Sequence, residues 1–259
     1  MPFVDLSDVR IYYQWDGPAD KPVVLFSNGL GTNVTLWDGQ IAELGKHFRV
    51  LRYDHRGHGK SSVPPGSYSI GMLSQDVLGL LDALGVETCS FCGLSMGGMV
   101  GQWLGANAAG RIRKLVLSST AAKIGTDESW NARIALVQEG GMQAAIPLVV
   151  VRWFTTDFQK ASPERVTPVR EAFLATDPVG YAGGCAAVRD GDFRASDRKI
   201  GVPSLIVAGT HDSVAPPAEG RFLVDDIPGA RFAELPAAHL SNVEARDQFN
   251  SAILDFLTD

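Results

Sequence analysis

The chain has 259 residues, 45% of them hydrophobic and 20% charged, with a formal net charge of -6. That length and composition fit a globular protein with one large core. They lack the basic footprint of a nucleic-acid binder, and the mild acidity predicts only solubility at neutral pH.

The first residues, "MPFVDLSDVRIYYQWDG", hold neither a basic leader nor an apolar stretch, and no run in the sequence approaches the length of a membrane span. The expectation is a reduced, cytoplasmic, soluble protein without a membrane or nucleic-acid partner. The cysteines are Cys89, Cys92 and Cys185. The first two form C-x-x-C inside an apolar strand-like run, where an odd offset sends them to opposite faces. Buried thiols are expected, not a redox or zinc pair, and no second cysteine pair completes a zinc site.

In chain order, "FVDL" and "VRIYYQW" read as an N-terminal hairpin turning at "SD". "PVVLFSN" (22–28) is a continuous apolar run of strand length, as a strand covered on both faces should be. "LWDGQIAELGKHF" (36–48) is helical with His47 at its end, and "FRVLRYD" (48–54) is the next strand. In "SIGMLSQDVLGLLDALG", Leu73, Val77, Leu80, Leu81 and Leu84 keep one apolar helix face, and Gly85 supplies the stop. "TCSFCGL" is a strand, "MGGMVGQWLGANAAG" a helix and "IRKLVLSS" (112–119) a strand.

The rhythm then breaks. From Ala121 to about Ser196 there are only amphipathic helical stretches, such as "SWNARIALVQEG" and "AAIPLVVVRWFTTDF", punctuated by Pro147, Pro163, Pro168 and Pro178. Strands resume at "VPSLIVAGTHD" (202–212). Helical "PPAEGRFLVDDIP", strand "ARFAELP" and helical "NVEARDQFNSAILDFL" follow. The fold class is therefore α/β: a mostly parallel sheet of eight strands flanked by helices, residues 1–120 and 197–259, interrupted by a helical insertion at 121–196. Such sheets bind ligands beyond the carboxyl ends of their strands.

At one strand exit stands Gly93-Leu94-Ser95-Met96-Gly97. A serine with glycines two before and two after, between a strand and a helix, is the pattern of a nucleophile on a cramped turn. Side chains at 93 and 97 would strike neighbouring backbone, and the helix behind aims its free N–H groups at the same spot. Serine needs a base, and the base an acid, in the chain order serine, carboxylate, histidine. Past Ser95 the only histidines are His211 and His239, and the order selects Asp212 as acid and His239 as base. His55 and His58, in "DHRGHGKS", read as loop structure. An oxyanion hole requires the N–H of Met96 and a second donor after "PVVLFSN", where Asn28-Gly29-Leu30-Gly31 offers the N–H of Leu30.

These residues resemble the α/β-hydrolase superfamily across essentially the whole chain. "RYDHRGHGKS" is similar to its D-x-R-G-x-G-x-S loop, with Asp54 structural, and the resemblance makes the insertion a cap over the active site. Many members begin the oxyanion loop with His-Gly, whereas Asn28-Gly29 stands here. With "LRYDHRGHGKSSVPPGSYSI", "FCGLSMGGMVGQWL" and "TAAKIGTDESWNARI", that departure resembles the 3-oxoadipate enol-lactonase family.

The resemblance implies opening of an enol-lactone in aromatic catabolism through an acyl-enzyme, with no metal and no cofactor. Its small-molecule substrate carries a carboxylate, so the pocket should supply a cation or hydrogen-bond donors. Trp130 and Arg133, three apart on one helix face, are the candidate wall and anchor. Arg152, Arg189 and Arg194 are other arginines of the insertion. A general carboxylesterase, a hydrolase of carbon–carbon bonds in ring-cleavage products, a perhydrolase, and a ligand-binding receptor on the same scaffold are the rival readings. The oligomeric state is not legible.

Overall fold

The computed structural model describes residues 2–259. Its strands are β1 (Phe3–Asp5), β2 (Arg10–Asp16), β3 (Val23–Ser27), β4 (Arg49–Tyr53), β5 (Cys89–Leu94), β6 (Ile112–Ser118), β7 (Ser204–Gly209) and β8 (Arg231–Leu235). They form one eight-stranded sheet in the order β1-β2-β4-β3-β5-β6-β7-β8. β1 and β2 pair antiparallel, as does β2 with β4, and every pairing from β4 to β8 is parallel.

Helices α1 (Asp38–Leu44), α2 (Ile70–Ala83), α3 (Met96–Asn107), α8 (Pro217–Asp226), α9 (Ser241–Glu244) and α10 (Arg246–Thr258) cover the sheet. Alternation along the parallel strands divides the core in two. Val24, Phe26, Val50 and Cys92 pack on one face with Trp37, Phe249 and Ile253. Leu25, Leu51, Cys89 and Phe91 pack on the other with Leu73, Val77 and Val100. Cys89 and Cys92 thus sit on opposite faces, both free, and burial pushes the Cys89 thiol up to about 12.

Two sequence boundaries move. The first helix stops at Leu44 and leaves His47 in a turn, because the chain must reverse through Gly45 to enter β4. The C-terminal helix is broken at Ala245, whose backbone (φ -104, ψ 44) separates α9 from α10.

Between β6 and β7 lie α4 (Asp127–Trp153), α5 (Thr156–Ala161), α6 (Pro163–Leu174) and α7 (Pro178–Asp190), and no strand. Thr126 and Ser129 form a reciprocal cap that starts α4. Contrary to the sequence expectation about apolar runs, α4 is long and apolar enough to cross a membrane, the only such helix among the described residues. The helical stretches read from the sequence, 129–140 and 144–158, fall on either side of Gly141. The helix does depart from helical geometry there (Gly141 φ 64, ψ -172), so its halves are not one straight rod.

β3 and β5 are neighbours, yet the chain leaves β3 toward β4 on one side and leaves β5 toward β6 on the other. Their carboxyl ends flank the crevice where such sheets reverse direction. Asn28-Gly29 and Ser95 stand there.

Candidate active site

Ser95 joins β5 directly to α3, and its backbone lies at φ 57, ψ -114, a strained conformation for a residue with a side chain. The turn is locked from both ends. Ser95 N–H donates to Ser118 O at 2.9 Å, while Ser95 O accepts from Thr120 Oγ1 at 2.9 Å. The glycine requirement is steric. A Cβ on Gly97 would fall against the Ser27 carbonyl, one on Gly93 against the Gly97 carbonyl, and one on Gly98 at 2.6 Å from Thr120 Cβ. Further along α3, a Cβ on Gly101 would crowd Leu117 at 2.9 Å, so this face of the helix lies directly on the sheet.

Asp212 follows β7 and is 4% exposed. Its Oδ1 accepts from the N–H groups of Val214 (2.7 Å) and Ala215 (3.0 Å), which fixes the carboxylate. Its Oδ2 receives His239 Nδ1 at 2.8 Å. His239, 3% exposed, lies between β8 and α9. With Nδ1 committed to a carboxylate, the imidazole presents Nε2 as an acceptor. The Asp212 loop is tied to the His239 loop by His211 N–H to Ala237 O at 2.9 Å.

Ser95 and His239 line one cavity of about 520 Å³, with Asp212 behind the imidazole. The Ser95 hydroxyl makes no hydrogen bond to any described residue. Nucleophile–base bonds of this kind are often long until substrate is bound.

The loop after β3 approaches from the opposite side. A Cβ on Gly29 would lie 3.7 Å from Ser95 Cβ. Thr32 N–H (3.2 Å) and Thr32 Oγ1 (2.7 Å) both donate to Gly29 O, closing a turn around Leu30 and Gly31. Gly31 is left-handed at φ 74, the reason for glycine there. Neither the Leu30 nor the Met96 N–H donates to any described residue. Asn28, where many superfamily members carry histidine, turns inward. Its Nδ2 donates to Tyr53 O at 2.7 Å and its Oδ1 accepts from Trp37 Nε1 at 2.8 Å.

The histidines of "DHRGHGKS" lie outside the cavity. His55 Nε2 is 3.2 Å from Asn28 O, and burial lowers its pKa to about 3. Burial likewise lowers His58 to about 4. Asp54 accepts from Val34 N–H and Lys60 N–H, each at 2.8 Å, and burial raises it to about 6. Arg56 grips Asp76 through Nε (2.7 Å) and Nη2 (2.6 Å) while also bonding Asp8.

α4 and α7 roof the cavity. Trp130 lines it, anchored by Nε1–H to Ile124 O at 2.6 Å. Arg133 lines it half-buried, its Nη1 donating to Tyr181 Oη at 3.3 Å and its guanidinium carbon 5.7 Å from the Trp130 ring centre. Burial, opposed by Arg133, raises the Tyr181 phenol. Arg152 also reaches the cavity. Neither arginine meets a carboxylate among the described residues. Arg189 and Arg194 instead pair with Asp190 and Asp192. Tyr181 and Trp153 were not singled out in the sequence. An aromatic in an apolar helix carries no local sign that it will face a cavity.

A serine on a strained corner and a carboxylate-oriented imidazole on one cavity, with the N–H groups of Leu30 and Met96 uncommitted, can carry out acyl transfer. Residues 22–245 match the family model described as the alpha/beta hydrolase fold. The chain belongs to that family. Within it, the sequence is 41% identical over 247 residues to 3-oxoadipate enol-lactonase 2 of Acinetobacter baylyi, covering 95% of this chain and 92% of that one. The solved enol-lactonase from Burkholderia xenovorans LB400 superposes with a TM-score of 0.98 at 44% identity, covering 100% of both chains. A thermophilic esterase from Thermogutta terrifontis superposes at 0.91 with 26% identity, covering 96% and 93%.

Proposed function

We propose that this chain is a serine hydrolase that opens 3-oxoadipate enol-lactone to 3-oxoadipate in aromatic catabolism. Ser95, His239 and Asp212 are its triad, Leu30 and Met96 its oxyanion donors, and residues 121–196 its cap. The observation that carries this reading is the convergence of Ser95 and the His239–Asp212 pair on one cavity that Arg133, which meets no carboxylate among the described residues, also lines. The resemblance to the enol-lactonases supports the choice of substrate.

His239 Nε2 takes the Ser95 proton as Oγ attacks the lactone carbonyl. The resulting oxyanion points at the N–H groups of Leu30 and Met96, which no other group occupies, so little reorganisation is needed. The ring C–O bond breaks and the leaving enolate, still part of the same molecule, takes the His239 proton and becomes the ketone. Water, deprotonated by His239, attacks the acyl carbon. Ser95 leaves with that proton and the second carboxylate is released. Arg133 holds the substrate's existing carboxylate while Trp130 walls the ring. Each step uses groups of the chain and water.

The apolar side chains of Leu136, Leu148 and Val149 along the same cavity favour a second reading, a carboxylesterase for neutral esters. Turnover of the enol-lactone against a neutral aryl acetate, by wild type and Ser95→Ala, separates the two. The expected result is a kcat/KM for the lactone at least about a hundredfold higher, and a loss of about 10⁴-fold or more in Ser95→Ala. Equal efficiency on both compounds would replace the lactonase with the esterase. Undiminished turnover in Ser95→Ala would remove both.

A further inference from the structure

His239 rides on a short loop, residues 236–240, whose attachments are divided between the core and the helical insertion. On the core side, His211 N–H holds Ala237 O at 2.9 Å. On the other side, the loop reaches the end of α4. His239 N–H donates to Arg152 O at 3.4 Å and Leu240 N–H to Trp153 O at 3.0 Å. The last carbonyls of a helix have no partner within it, so these are free acceptors put to use. The bond from His239 itself is the longest of the set, and by itself fixes little.

What draws the two segments together is a carboxylate. Glu244, half-buried at the end of α9, has Ala238 N–H on its Oε2 at 3.0 Å. The same carboxylate receives Thr155 N–H at 3.3 and 3.2 Å, and the Thr155 hydroxyl bonds its Oε1. Thr155 lies two residues after Trp153 and caps α5. Three donors, from the residue before His239 and from the insertion, therefore converge on one acceptor-only group. Glu244 reaches neither Ser95 nor Asp212, and it does not line the cavity.

We infer that Glu244 is a positioning residue for His239: its carboxylate clasps Thr155 of the insertion to Ala238 and so sets where the imidazole stands over Ser95. The inference rests on the reading of Ser95 and His239 given above. Because His239 moves the proton in both acylation and deacylation, its displacement slows both steps alike, whatever the substrate. A displacement well under 1 Å is enough to be read in kcat, because proton transfer demands near-ideal geometry. Glutamine at 244 keeps the shape but removes the charge: its oxygen can still accept from the Ala238 and Thr155 N–H groups and its NH₂ can donate to the Thr155 hydroxyl, so charge-assisted bonds become weaker neutral ones.

The test uses the full chain as wild type, Glu244→Gln, Glu244→Asp, Thr155→Val and Ser95→Ala. Each is assayed for melting temperature, for kcat and KM on the lactone and on a neutral aryl acetate, and for the rate constant of fluorophosphonate labelling at Ser95. In Glu244→Gln, kcat on both substrates and the labelling rate constant should fall together by about tenfold, with KM held within about twofold. Thr155→Val should show the same pattern more weakly, and Glu244→Asp should recover part of the loss. Thr155→Val decides the matter alone should Glu244→Gln fail to fold. Unchanged rate constants in the folded variants would overturn the clasp, as would a lower melting temperature or a smaller labelled fraction with normal rate constants in that fraction. Wild type that takes no label would remove Ser95 as nucleophile, and the clasp with it.

Discussion

The corner at Ser95 and the roof over it are built on different principles. At the corner, backbone presses on backbone. Gly93, Gly97 and Gly98 each fill a space that one added carbon would overrun, and the residues from Cys89 to Met99 are all buried. In the roof, side chains meet across a gap. α4 leaves helical geometry at Gly141, exposes Leu148 and Val151 by half or more, and holds Arg133 through a single 3.3 Å bond to Tyr181. A reacting atom must be held to a fraction of an ångström, whereas a ligand's far end must be admitted and released. On the proposed function, the first demand falls to the sheet and the second to the helical insertion.

The sharpest way to break that contrast is Gly97→Ala. Its methyl has only the carbonyls of Ser27 and Asn28 to displace, neither of which can yield without moving β3. The expected cost is about 3 kcal/mol or more in urea unfolding, with activity lost in the folded fraction. An unaltered midpoint would mean the corner is softer than its geometry implies.

Where the insertion returns to the sheet, Asp197 is fully buried and neither of its oxygens has a partner among the described residues. Burial, with Asp226 and Asp192 nearby, raises it to about 7. Its native pKa lies above the unfolded value. Between roughly pH 4 and 7 the native state therefore keeps a proton the unfolded chain has lost, and stability falls as pH rises through that window. Asp197→Asn should remove this slope. It should exceed wild type by an amount growing toward pH 8, on the order of 2–4 kcal/mol, read from unfolding midpoints at several pH values. Parallel curves for the two proteins would disprove it.

Arg133→Ala tests the roof alone. It should raise KM for the lactone by about 10–100-fold and leave KM for a neutral aryl acetate within about twofold, with kcat little changed. A matching rise on both substrates would leave Arg133 as packing and pass the anchor to Arg152.

The same contrast explains what could be read from the chain. The corner was legible because its constraint is local: glycine spacing, an apolar strand before it and a helix after it are all written within about a dozen residues. The order of Ser95, Asp212 and His239 then named three residues that the structure gathers around one cavity. The sheet was legible from runs of strand length, since parallel strands buried on both faces are almost wholly apolar. The roof was not. Arg133 and Tyr181 are 48 residues apart, and only the packing of α4 on α7 brings them together. Glu244 and Thr155 are 89 apart, and nothing near either signals the other. The break between α9 and α10 follows from Ala245, a residue that on its own favours helix, so tertiary demands override its preference.

The pairing of two arginines that face no acid with a chain of formal charge -6 has a consequence for how a ligand arrives. At physiological ionic strength a charge is felt over only about 8 Å, so the acidic body is silent to an anion drifting in solution. Within that range of the cavity stand Arg152, exposed, and Arg133, half-buried. On the function proposed above, an anionic substrate is drawn in by these two arginines and not by the sign of the whole. Dilute salt, which lengthens the reach of every charge, should slow the approach of a negative ligand by letting the distant carboxylates be felt.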